Sequence, residues 1–96
     1  MTVEKGEHLG REAAEALAVE ALTWLANEPD ALGRFMALSG IGPLDLRNAA
    51  RDPEFLGGVL DFFVTDERLL VAFAGNAGVK PDRVVAAWRD LGGRME

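Results

Sequence analysis

The sequence predicts an all-α protein, a compact bundle of five to six short helices. Proline occupies positions typical of the first turn of a helix, and glycine follows apolar segments at positions typical of helix ends. Apolar residues recur between these boundaries at the spacing of helices that bury one face. Because 96 residues suffice for a single domain, we predict one helical domain over residues 1–96, in which residues 1–9 form a flexible N-terminal tail.

Each predicted helix begins at a capping residue or a proline and ends at a glycine or at the cap of the next helix. Asn27 or Glu28 is expected to cap the second helix. Asp52 is expected to cap the fourth, and Thr65 or Asp66 the fifth. The first helix has the widest apolar stripe. The six helices are predicted over residues 10–26, 29–40, 43–52, 53–64, 66–78 and 81–92.

An internal similarity becomes visible when the sequence is shifted by 38 residues, which aligns residues 24–52 with residues 62–90 without gaps. The matching residues are those that build a helical corner, a glycine at the helix end and a proline that opens the next helix. They predict two pseudo-symmetric helix-turn-helix repeats, although two short helical hairpins can also match by chance. The clearest identical pairs are Leu32 with Leu70, Phe35 with Phe73, Gly40 with Gly78, and Pro43 with Pro81.

Composition excludes several classes of function. The chain has no cysteine and therefore neither a disulfide framework nor thiol chemistry. Its net charge of −6 disfavours nucleic acid, because phosphate contacts supply most non-specific affinity for DNA. The most apolar region, residues 55–73, contains four charged residues and is not a membrane span. We expect a cytoplasmic protein with no membrane or nucleic-acid partner.

A helix-turn-helix unit can nevertheless bind DNA, and this is the alternative function. The second repeat has a small residue, a turn glycine and buried positions where such motifs have them. Its last helix, over residues 80–91, offers Lys80, Arg83 and Arg89 as DNA contacts. Asp82 and Asp90 partly cancel their charge, so a scaffold is the preferred interpretation.

Catalytic residues are scarce in the sequence. His8 is the only histidine and lies in a polar segment, where a solvent-exposed role is the usual one. Ser39 has no histidine at a recognisable spacing and precedes the helix end at Gly40. We therefore predict no enzyme, no metal site and no cofactor.

Two groups of residues are candidates for a protein interface. The first helix carries a band of small apolar residues, Ala13, Ala14, Leu17 and Ala21, which is either an interface or part of the core. In the fourth helix, Gly57, Gly58 and Asp61 share a narrow face. This face is either solvated, or a second helix approaches over the glycines and Asp61 meets a base such as Arg47 or Arg51.

Two continuous segments, Gly40 to Ala50 and Asp52 to Phe62, resemble a family of small alphaproteobacterial proteins known as domain of unknown function 3572. The similarity extends from about Arg11 to Gly92. It implies a compact helical bacterial protein and assigns no functional residue. From the residues themselves we expect a non-enzymatic interaction or adaptor module, which binds a protein partner or forms a homodimer.

Overall fold

The computed structural model describes residues 10–94 and contains no strand among them. Six α-helices and one short 3₁₀ helix make up this part of the chain, which confirms the all-α prediction. The predicted N-terminal tail and His8 lie outside the described residues. The elements are α1 (Arg11–Leu25), α2 (Pro29–Ser39), a 3₁₀ helix (Pro43–Asp45), α3 (Leu46–Ala49), α4 (Pro53–Val64), α5 (Glu67–Ala77) and α6 (Pro81–Asp90).

Local chemistry explains most helix boundaries. The side chain of Asp52 accepts a hydrogen bond from the backbone N–H of Glu54 (3.0 Å), and that of Asp66 accepts one from Leu69 (3.2 Å). These two caps satisfy amide groups that the first turn of a helix leaves unpaired. At the start of α2 the prediction was only partly right. Glu28 occupies the cap position, but its side chain makes no capping hydrogen bond.

The core lies where α1, α4 and α6 pack against one another, with α5 against this group. The ring of Phe35 joins α2 to α4, with its centroid 5.3 Å from that of Phe62. Phe63 of α4 is fully buried at the centre of the core, with its ring 5.3 Å from that of Phe73 and 5.8 Å from that of Trp24, centroid to centroid. Aromatic pairs at such separations add to the stabilisation that burial gives. α4 is therefore the central helix of the bundle, and its neighbours define the surface grooves.

The two halves share a corner but not a packing arrangement. Gly40 and Gly78 both end helices in the left-handed conformation, with φ of 74° and 73°. In the second half, α6 forms ten residues of helix and packs against α1 and α4, whereas α3 has four residues and no buried side chain. The predicted pseudo-symmetric repeat is therefore not confirmed, and the helix predicted over 43–52 is present over 43–49, as the 3₁₀ helix followed by α3.

The sequence contains the reason for this difference. Trp88, the large side chain that α6 buries, corresponds to Ala50 in the first half, so this segment lacks the apolar surface that holds α6 in the core. Pro53 follows closely and starts α4, which leaves α3 no room to continue.

Within residues 10–94, no helix combines the length and the apolar character that crossing a membrane requires. The longest of them, α1, has 15 residues, whereas a membrane-spanning helix needs about 20.

Candidate functional site

Most of the predicted α1 interface belongs to the core. Ala14 and Ala21 are fully buried and Leu17 is 8% exposed, because α4 and α6 both pack against this face of α1. The core alternative is therefore correct for these three residues. Ala13, by contrast, is exposed, and so is Ala16 on the same side of the helix.

Ala13 and Ala16 lie at the edge of a groove between α1 and α6. The two helices run antiparallel, since the backbone N–H of Gly10 donates to the Asp90 side chain at the far end of α6 (3.1 Å). The sequence gives no sign of this pairing, because the facing residues are about 70 positions apart. On the α1 side the groove is lined by Ala13, Ala16, Leu17 and Glu20, and on the other side by Val79 and Arg83.

This groove continues along α6 into a larger open depression of about 880 Å³, because both include Val79 and Arg83. We call the two together the α1–α6 groove. The larger part is lined by Lys80, Val85, Ala86 and Arg89, together with Gly78, Val79, Asp82 and Arg83. The structure thus brings the exposed edge of the predicted α1 band onto one surface with all three predicted DNA-contact residues.

The α1–α6 groove differs in charge from the rest of the molecule. It contains three cationic side chains, Lys80, Arg83 and Arg89, against the carboxylates of Glu20 and Asp82. The whole chain carries a net charge of −6. Among residues 10–94, no carboxylate lies within ion-pair distance of the three cations. The groove is therefore a local basic, partly apolar surface on an acidic protein.

The end of α6 covers one residue of the predicted glycine face of α4, Gly57. A Cβ atom added to Gly57 would lie 3.1 Å from the carbonyl oxygen of Leu91, so Gly57 is not free to contact another protein. Asp61 accepts a hydrogen bond from the indole Nε1–H of Trp88 (3.2 Å). Of the two alternatives, the approach of a second helix holds for Gly57, whereas Gly58 and Asp61 are exposed. The expected base, Arg47 or Arg51, was wrong, because Trp88 takes that position.

Gly58 has a different environment from its neighbour. It is exposed, and a Cβ atom added there would meet nothing within 4 Å. Glycine inside a helix costs about 1 kcal/mol relative to alanine. At Gly58 no packing contact offsets this cost.

These environments predict different effects on stability for two adjacent substitutions. We expect Gly58→Ala to raise the free energy of unfolding by about 0.5–1 kcal/mol, because it removes backbone entropy from the unfolded chain at an open position. Gly57→Ala has the same propensity gain but forces the Leu91 carbonyl to move, so it should stabilise less or destabilise. Urea unfolding of both variants measures the difference. Equal stabilisation would contradict the close packing of α6 on α4.

Sequence reasoning missed a second exposed feature, at the end of α2. Leu38 is 77% exposed and Leu44 is 93% exposed, on either side of the turn that contains Gly40. The comparison of the two halves contains a signal for this exposure. Leu38 and Leu44 correspond to the polar residues Asn76 and Asp82, which indicates surface positions.

The arrangement of side chains offers little to catalysis within the described residues. The Ser39 hydroxyl donates to the carbonyl of Met36 (3.5 Å) and accepts from the amide of Ile41 (3.3 Å), which is a role at a helix end. No polar or charged side chain in residues 10–94 is buried, and no three His, Cys, Asp or Glu residues there are placed to hold a metal ion.

The comparison with known proteins identifies a family. No curated protein and no solved structure shows a significant similarity to this chain. A family model described as a protein of unknown function, DUF3572, matches residues 11–94, from the first residue of α1 to the turn after α6. The match covers every helix described above, including both sides of the α1–α6 groove, and the chain therefore belongs to the DUF3572 family.

Proposed function

We propose that this protein is a non-catalytic helical module of the cytoplasm that binds another protein through the α1–α6 groove. The observation that carries the proposal is the meeting of apolar and cationic side chains on one continuous surface. Interfaces typically combine an apolar centre with a polar margin, and arginine is enriched in them. Here Ala13 and Ala16 face Arg83 across the groove, and Lys80 and Arg89 extend the cationic margin.

The shape of this surface supports a protein partner over the alternative, DNA. A recognition helix has to protrude in order to enter the major groove. In this protein α6 lies against α1 and α4, with Val84, Ala87 and Trp88 buried, and a depression extends along its open side. Of the three cations that a DNA-binding motif would use, Arg83 also borders the narrower groove against α1. A protein segment can contact α1 and α6 there at the same time.

Site-specific photo-crosslinking tests the proposal in the cells that make the protein. A photoreactive phenylalanine analogue replaces Ala16 in the groove, and a matched probe replaces Asp30, which is exposed on α2 and lines no depression described here. We expect a protein adduct from the Ala16 probe that the Asp30 probe does not form. Mass spectrometry identifies the adduct, and purified partner then gives a dissociation constant.

The matched variant for this measurement is Ala16→Glu. Its side chain is exposed, so a charge there blocks the groove without entering the core, whereas Leu17→Glu would place a charge among buried residues. We expect Ala16→Glu to weaken binding of the purified partner at least about tenfold with an unchanged circular dichroism spectrum. Equal adducts from both probes, or binding that Ala16→Glu does not affect, would refute the proposal.

A further inference from the structure

The structure also indicates which class of protein segment binds the α1–α6 groove. This inference rests on the proposed function, because it concerns the same surface. We infer that the groove receives an amphipathic helix with an acidic flank. Three properties of the groove support this: its exposed small residues, the way in which backbone groups are satisfied around it, and the distribution of its cations.

The α1 side of the groove is shaped for a helix. Ala13, Ala16 and Glu20 follow one another at the i, i+3, i+7 spacing of a single helical face, and Ala13 and Ala16 are small and exposed. Small side chains let a second helix approach to the distances of about 8–10 Å that packed helices adopt. Val79, which is half-buried, completes the apolar surface on the opposite side. Binding of a helix in a groove between two helices is a recurring mode of peptide recognition.

An extended segment would fit this surface poorly. Extended peptides usually gain their affinity by adding a strand to the edge of a sheet, and residues 10–94 contain no strand. The backbone amides in the interiors of α1 and α6 are paired within their own helices. An extended partner would therefore leave its own N–H and C=O groups unpaired against an apolar surface, which is costly. A helix satisfies these groups internally, so only its side chains need to match the groove.

The positions of the cations indicate which side of the partner helix carries acidic residues. Arg83 and Arg89 are six residues apart on α6, which separates them by about 9 Å along the helix axis and about 120° around it, and Lys80 precedes the first turn. Arg83 borders both parts of the groove, so acidic side chains on one flank of a partner helix that lies against α1 can face it. The net charge of −6 on the whole chain repels a partner that is acidic on all sides. A partner helix with an acidic stripe only on its flank over α6, and an apolar stripe over Ala13 and Ala16, is attracted by the cations and avoids this repulsion.

Selection from a displayed peptide library tests the inference without knowledge of the natural partner. The probe is a library of random peptides of about 18 residues, or roughly five helical turns, selected against the full-length protein. We expect the enriched peptides to carry apolar residues at i, i+3 or i+4, and i+7, with Asp or Glu along one flank. A synthetic peptide of this kind should bind the wild-type protein and become more helical on binding.

Charge reversal distinguishes the groove from the rest of the surface. Arg83→Glu should weaken the acidic-flanked peptide at least about tenfold. The matched control is Arg68→Glu, which changes the net charge equally on the exposed surface of α5, away from the groove, and should leave affinity within about twofold. A peptide with its acidic residues changed to lysine should regain affinity for the Arg83→Glu protein.

The remaining outcomes separate this inference from the proposed function. Enriched peptides that Ala16→Glu excludes but that bind Arg83→Glu as well as wild type would overturn the acidic flank and leave the groove as the binding site. Enriched peptides that bind in an extended form would overturn the helix. If Ala16→Glu affects no enriched peptide, both proposals fail. If the wild-type protein self-associates in sedimentation and Ala16→Glu abolishes this, the occupant is a second copy and the inference of a separate helix is overturned.

Discussion

Phe63→Ala is expected to destabilise the protein by about 3–5 kcal/mol, the usual cost of truncating a fully buried phenylalanine. Its ring has no exposure and lies near three others, those of Trp24, Phe62 and Phe73. A domain of this size has a total free energy of unfolding of roughly 5–14 kcal/mol. The substitution therefore removes a large fraction of the stability. Because each kcal/mol corresponds to about 4–8 °C, even the lower estimate lowers the melting temperature by about 12 °C.

Phe55→Ala provides the control for this prediction, because it makes the same chemical change on the same helix. Phe55 is half-buried and has one ring contact, with Phe35 at 5.7 Å between centroids. Truncating Phe55 should cost clearly less stability than truncating Phe63. It removes less buried apolar surface, and solvent can fill the space that it leaves. Urea unfolding followed by circular dichroism measures both. Comparable losses from the two variants would show that Phe63 is not the centre of the core.

The sequence predicted helix boundaries well where a short-range cause determines them. The predicted range of α4, 53–64, matches the structure, because Asp52 caps its first turn and Pro53 starts it. Gly40 and Gly78 end their helices in the left-handed conformation for the same kind of local reason. Each of these features depends on a few neighbouring residues, so one sequence was enough to identify it.

The similarity of the two halves is confirmed at their shared corner, and the structure does not confirm it for the whole repeat. The glycine and proline that the two halves share determine the turn and leave open which faces of the following helix are apolar. Ala50 gives the first half much less apolar surface to bury than its counterpart Trp88 gives to α6. A residue-by-residue comparison of the following helix would have predicted that the halves differ. The exposed Leu38 and Leu44 belong to the half that does not pack in the same way.

The candidate site was predictable in its residue types but not in its assembly. The sequence identified Ala13 on the first helix and Lys80, Arg83 and Arg89 on the last as parts of two competing functions. Helical periodicity describes each helix separately and contains no information about which helices pack together. The antiparallel pairing of α1 with α6 joins these residues into one groove. Long-range packing therefore turned two alternatives into parts of a single candidate site.

Asp61→Ala is expected to lower the free energy of unfolding by about 1–2 kcal/mol, although Asp61 itself is exposed. Its carboxylate accepts the indole N–H of Trp88, a side chain that is 4% exposed, and a Cβ atom at Gly93 would overlap the same ring. Truncation leaves the Trp88 indole N–H without its acceptor, while the end of α6 keeps the Trp88 ring in place. Asp61→Asn keeps an oxygen acceptor and should cost less than half as much.

Urea unfolding of the Asp61→Ala and Asp61→Asn proteins tests this pair, in a Trp24→Phe background that leaves Trp88 as the single fluorophore. The alanine variant should also shift the Trp88 emission, because the indole loses a charged neighbour. Equal losses from alanine and asparagine would show that charge, and not the hydrogen bond, stabilises this contact. No loss from either would mean that the hydrogen bond to Trp88 contributes nothing to holding α6 against α4. In that case the close approach of Leu91 to Gly57 would have to stabilise the junction without it.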